Sequence, residues 1–130
     1  MDKLHWRSAA DIACLIRGKQ VSASEVLEHF FARVDRFNSK LNAIVWQDRE
    51  RARKRANAAD GALAKGEVWG PLHGVPMTIK ESYNVAGSPT TWGDPVLKAN
   101  VPDASALPVE RLEKAGVVLF GKPLSRSGPP

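Results

Sequence analysis

GPLHGVPMTIKES, residues 70–82, packs two glycines, two prolines, a histidine and a single lysine into one short segment. Gly70-Pro71 and Gly74 interrupt any helical pattern. The residues VPMTIKE that follow alternate with period two, which predicts a strand. Val75, Met77 and Ile79 would share one face, with Pro76, Thr78 and Lys80 on the other. Pro76 has no N–H to give a ladder, so it belongs at a sheet edge or at the first strand position. Lys80 thus closes an apolar run instead of joining a charged patch.

Upstream of this segment the pattern is helical. Ser8 followed by Asp11 predicts the cap of a first helix over 8–17, ended by Gly18, and Ser22 followed by Glu25 is a capping box for a second. Val26, Phe30, Val34 and Phe37 recur at helical spacing and predict its core stripe. LNAIVW (41–46) suits a short strand or an extended link. An alanine-rich third helix is expected from about Asp48 to Ala64, stopping near Gly66. Its opening, DRERARKR (48–55), carries five basic and two acidic residues. With no aromatic residues interleaved for base stacking, it reads as a solvated face.

Downstream, YNVAGSPTTWGDPVLKANVPD (83–103) has little periodicity and predicts a long surface connection. SALPVERLEKAG (105–116) makes a short helix capped by Ser105, with Pro108 at its third position and Gly116 as its stop. VVLFGK (117–122) reads as a buried strand. A helix leading into an apolar strand, after an earlier strand, is the rhythm of an α/β layered domain. The last eight residues, PLSRSGPP, have no pattern that would continue a strand or begin a helix.

The 130 residues suffice for one domain or part of a larger one. The chain is 43% hydrophobic and 25% charged, an ordinary globular balance that excludes disordered and collagen-like classes. The net charge of +5 raises the prior for an acidic partner, although the placement of the charges matters more. One cysteine, Cys14, allows no internal disulfide and is expected in the core, in keeping with a cytoplasmic setting. No apolar run is long enough for a signal peptide or a membrane span. No spacing of Cys, His and carboxylates suggests a metal, and no nucleotide motif occurs, so no cofactor is expected.

Local pattern leaves two readings of Lys80 open. It can be an edge lysine whose stem packs on the sheet while its ammonium reaches solvent. It can instead be an amine held in a partly dry pocket as a base. Free lysine titrates near 10.4, so a lysine acting as a base near neutrality needs about 4 kcal/mol of preference for its neutral form.

In order along residues 22–122, VSASEVLEHFFARVDRFNSKLNAIV, RANAADGALAKGE, GPLHGVPMTIKES, AGSPTTWG and VERLEKAGVVLFGK together resemble the opening of an amidase-signature hydrolase. The resemblance implies the N-terminal part of an α/β/α layered fold with a mixed central sheet, helices first. It implies residues 1–122 as that segment, with 123–130 as a non-matching proline-rich tail. It also implies hydrolysis of a carboxamide C–N bond by a Ser–Ser–Lys mechanism, with Lys80 as the catalytic lysine and a small-molecule amide as substrate. In that scheme the lysine is the ultimate base and a middle serine in a cis peptide relays a proton. A second serine attacks the carbonyl, and backbone N–H groups hold the oxyanion.

The family carries both serines in a later Gly-Gly-Ser-Ser-Gly-Gly type loop, and this chain has neither an adjacent serine pair nor an adjacent glycine pair. The expectation is therefore a chain that stops before the nucleophile and is inactive alone. Ser82 would share the strand face of Lys80, but about 6–7 Å away, beyond hydrogen-bond reach. Glu81 stands where the family usually has aspartate, and Pro123 where threonine usually follows Gly-Lys. His73 lies between Leu72 and Gly74 and is expected to serve turn hydrogen bonding over catalysis. Trp69 and Trp92 flank the motif and are expected to pack. The substrate-binding residues are not legible.

Two rival functions remain in view. One is a non-catalytic module that pairs with another chain, or with itself, through exposed apolar surface. The other is a basic nucleic-acid binder using Arg49–Arg55, which is not expected.

Overall fold

Two serines open the first two helices, as their spacing predicts. In the computed structural model, which describes residues 3–124, helix α1 (Ala9–Arg17) starts at Ser8 and helix α2 (Ala23–Leu41) at Ser22. Each serine Oγ accepts from the backbone N–H three residues on, and Asp11 or Glu25 reaches back to the serine N–H. Strand β1 (Ile44–Gln47), helix α3 (Arg49–Ala64), strand β2 (Pro76–Thr78), helix α4 (Leu107–Lys114) and strand β3 (Val118–Pro123) follow. β3 lies in the centre of the sheet, antiparallel to β1 and parallel to β2. The parallel pair needs a crossover of helix length, and α4 supplies it. The result is an α/β arrangement, helices first, around a small mixed sheet.

The core lies where α1, α2 and α3 meet each other and the sheet. Ile12, Ile16, Val26, Leu27 and Phe31 pack with Val75, Val118 and Phe120. Phe31 and Phe120 meet edge to face, with ring centroids 5.5 Å apart.

Several expectations change at this level. The buried face of α2 runs through Ala23, Val26, Leu27 and Phe31, while Phe37 is exposed. The apolar stripe is real, but the packed row is turned toward Leu27 and Phe31. α3 is more than a solvated helix, because Ala52, Ala56, Ala59 and Ala62 bury against the core. Methyl side chains let that helix approach closely, and its low average hydropathy hid the stripe. Four of its five basic residues pair with acids instead, Arg49 with Asp35, Arg53 with Glu28, Lys54 with Glu50 and Arg51 with Glu113, while Arg55 donates to the Val117 and Glu113 carbonyls.

Cys14 is exposed, because Ile12, Ala13 and Ile16 form the inner face of α1. Ser105 does not cap α4. Its Oγ accepts from the Ala86 N–H, the cap position is Ala106, and Pro108 sits at the second helical position. β3 takes in Pro123, one residue into the expected tail, and the Leu124 N–H donates to the Ala43 carbonyl. The rest of that tail, 125–130, lies outside the described residues.

Candidate active site

The turn that carries the GPLHGVP motif is bolted to the segment entering β3. Leu72 N–H donates to Ala115 O and Gly74 N–H to Gly116 O, each at 2.8 Å, and Val118 N–H returns to Val75 O. Gly74 has φ +77°, and a Cβ there would stand 2.8 Å from Ala23 Cβ. Gly116 has φ +100°, and its Cβ would stand 2.8 Å from His73 Cα. Gly116 lets the two backbones run this close, and Gly74 lets the turn seat against α2 at Ala23.

His73 is fully buried beneath the turn. The Trp69 N–H donates to Nδ1 at 3.0 Å, and Nε2 lies 2.9 Å from the Ala59 carbonyl. An N–H can only donate and a carbonyl can only accept, so the ring is the Nε2–H tautomer. Both nitrogens are committed to structure, in keeping with the turn role read from sequence. Trp69 packs edge-on against His73, and the Arg55 guanidinium lies over the Trp69 ring.

β2 is regular for only three residues, with a register irregularity between Met77 and Thr78. Parallel bonding to β3 nevertheless continues, from Ile79 N–H to Gly121 O and from Glu81 N–H to Pro123 O, each at 3.1 Å. Lys80 falls between these two bonds. It is exposed. The Tyr83 N–H then bonds back to the Lys80 carbonyl and turns the chain. That turn removes Ser82 from the strand face expected for it, and no hydrogen bond joins Ser82 to Lys80 among the described residues.

Directly after Lys80 the chain dives inward. Glu81 is buried, and its carboxylate accepts the backbone N–H groups of Thr91 and, at 2.9 Å, Trp92. Trp92 holds φ +56°, a left-handed conformation that a bulky residue adopts only under restraint. Its side chain is exposed, so of the two flanking tryptophans only Trp69 packs.

A residue to which the sequence assigned no role completes this region. Lys122, on the central strand, has no exposed surface. Its Nζ donates to Pro89 O at 2.8 Å, Thr90 Oγ1 at 3.1 Å and Glu81 O at 3.4 Å. Burial pushes its ammonium below the ordinary lysine range, while the Glu81 charge pulls the other way. The IKES, GSPTT and FGK segments, far apart in sequence, converge on this amine. A signal was present in a lysine ending the apolar run VVLFGK, but its partners are set only by the fold. Among the described residues no cluster of His, Cys and carboxylates could hold a metal ion.

The region thus joins an exposed lysine just past β2, a glycine-bounded turn and a clamped loop on a small mixed α/β sheet. The Amidase family model matches residues 25–124, and the chain belongs to that family. It is 40% identical over 119 residues to an acylamidase of Rhodococcus erythropolis, covering 92% of this chain and 25% of that protein. It is 41% identical over 117 residues to an indoleacetamide hydrolase of Bradyrhizobium diazoefficiens, covering 89% of this chain and 22% of that one. A solved fatty acid amide hydrolase superposes with a TM-score of 0.86 at 27% identity, over 95% of this chain and 21% of the other. The chain thus spans about a quarter of the length of the relatives it matches.

Proposed function

We propose that this chain supplies the general base of an amide-hydrolysing site, and that the base is Lys80. The observation that carries the reading is the placement of Lys80 at the exposed end of the β2–β3 pair, inside the family's match, with its backbone pinned on both sides. The neighbouring histidine has both nitrogens engaged, and Lys122 is spent on three acceptors. Among the described residues of this region, Lys80 therefore has the amine open to a reacting group.

In the reaction, Lys80 Nζ takes a proton from a bridging serine hydroxyl, which takes one from the attacking serine. The alkoxide adds to the carboxamide carbonyl, the C–N bond breaks with the proton returned to the departing nitrogen, and water hydrolyses the ester. Neither serine is among the 130 residues in an adjacent pair, so the chain alone turns over no amide. The proposed substrate class is a linear carboxamide, in line with the acylamidase relative. The free, exposed thiol of Cys14 suits a reducing, cytoplasmic setting.

The test is a chimera in which residues 3–124 replace the matching first quarter of the Rhodococcus erythropolis acylamidase. Hydrolysis is expected, with Lys80→Ala lowering turnover by about 10⁴- to 10⁶-fold, the range for removal of one member of a catalytic triad. An active chimera indifferent to Lys80→Ala would remove Lys80 from the mechanism.

A second reading concerns association. Phe37 and Leu41 are exposed and line a groove with Phe30, Val34, Ile44 and Phe120. Apolar surface of this kind favours pairing with another polypeptide. Light scattering after gel filtration tests it, since a strict monomer at high concentration would argue against it.

A further inference from the structure

We propose that Lys122 is a positioning residue for Lys80, holding the backbone immediately beyond that lysine against the 87–92 loop and so setting where the Lys80 side chain leaves the sheet. The inference rests on the reading of Lys80 as the base and deepens it.

Lys122 has three N–H donors and three acceptors within reach, so its hydrogen-bonding capacity is used up. The acceptors come from two separate segments. Glu81 O belongs to the residue next to Lys80, while Pro89 O and Thr90 Oγ1 belong to the loop. A second tie runs beside the first, because the Glu81 side chain accepts from Thr91 and Trp92 of the same loop. Lys80 is therefore bracketed by the Ile79 and Glu81 bonds to β3 and by the Lys122 bond at Glu81 O.

A core position on a central strand is otherwise suited to an apolar residue, and replacing buried charged groups by apolar ones of similar volume often leaves stability unharmed. Stability alone therefore gives no reason for an ammonium at this position. Fixing the geometry of two segments that flank the base does give one. Strand alternation sends the Glu81 side chain inward and the Lys80 side chain out on the opposite side. Rigidity at Glu81 thus translates directly into the direction taken by Lys80.

The experiment compares amide NMR spectra and hydrogen exchange of the 130-residue chain with those of Lys122→Met and Lys122→Arg. In Lys122→Met, protection at Thr91 and Trp92 should fall by about ten- to hundredfold, the loss expected for hydrogen bonds to a charged group. The Lys80, Glu81 and Tyr83 signals should shift. Ala56 and Ala59 in α3 should keep their protection, and Lys122→Arg, which restores charged donors, should recover most of the change.

If Lys122→Met does not fold, Thr90→Val removes one acceptor of Lys122 along with the 3.5 Å bond from Thr90 Oγ1 to the Tyr83 carbonyl, so smaller shifts at Lys80 and Glu81 are expected and decide the matter. The proposal is overturned by unchanged signals at 80–83 and 90–92. It is also overturned by a loss spread evenly over the helices, or by a local loss that arginine does not restore. No hydrolysis is read here, so failure would leave the base role of Lys80 to its own test in the chimera, and the reverse holds too.

Discussion

Replacing His73 by phenylalanine keeps a ring of similar size in the same buried space and removes both hydrogen-bonding nitrogens. Two backbone groups lose their partners at once: the Trp69 N–H and the Ala59 carbonyl. A buried polar group left unsatisfied costs about 1–3 kcal/mol, so the pair should cost about 2–6 kcal/mol. The α3 backbone at Ala59 and the turn at Trp69 would also lose their tie through that ring. Against a typical total stability of about 5–15 kcal/mol, this is a large fraction. Urea denaturation followed by tryptophan fluorescence and circular dichroism reads it directly. With a slope near 2 kcal/mol per molar urea, the midpoint should fall by about 1–3 M. A shift below about 0.3 M, with the slope unchanged, would refute the reasoning that these two bonds are obligatory. It would show that the packing of the ring, and not its nitrogens, holds the turn to α3.

Gly74→Ala should destabilise by about 2–4 kcal/mol, combining a left-handed φ with overpacking against Ala23, and Ala23→Gly should recover only the packing share in the same urea assay. Burial lowers the folded value of Lys122 below its unfolded value near 10.4, so between the two the unfolded chain holds more protons and stability rises with pH. Thermal melts through the alkaline range should show that rise in the native chain and not in Lys122→Met. The Arg53 and Arg49 hydrogen bonds hold Glu28 and Asp35 below the usual carboxylate range. Their contribution is complete above about pH 4.5 and is lost as pH falls through the lowered folded values, a loss that about 1 M salt should blunt. Lys80→Ala should leave the melting temperature within about 2 °C, as expected for an exposed side chain, in contrast to its effect in the chimera.

Features encoded by neighbouring residues are legible in the chain itself. The Ser8–Asp11 and Ser22–Glu25 boxes need only three residues of separation, and the fold forms both. The strand at VVLFGK and the turn at Gly70–Gly74 follow from local period and backbone freedom in the same way. The family resemblance in GPLHGVPMTIKES and GSPTT is likewise a matter of ordered residues, and it leads to Lys80.

Tertiary packing decided what those residues could not. A stripe of alanines has too little hydrophobic contrast to declare which way α3 faces; the approach of α2 and β3 chose it. Cys14 and Phe37 are apolar residues on amphipathic helices, and a rotation of one position carried both to the exposed side. Ser105 had the right spacing for a cap, yet its hydroxyl was drawn to Ala86 across a loop. Lys122 is the clearest case. Its three partners lie 32 to 41 residues away, and only the parallel alignment of β2 with β3 brings them to one amine. Sequence alone thus determined the starts of α1 and α2, the strand-turn segment and the family, because those depend on residues a few positions apart. The burial of Lys122, the clamp on the 87–92 loop and the faces of α2 and α3 were decided by tertiary structure, because each depends on which distant groups compete for the same dry space.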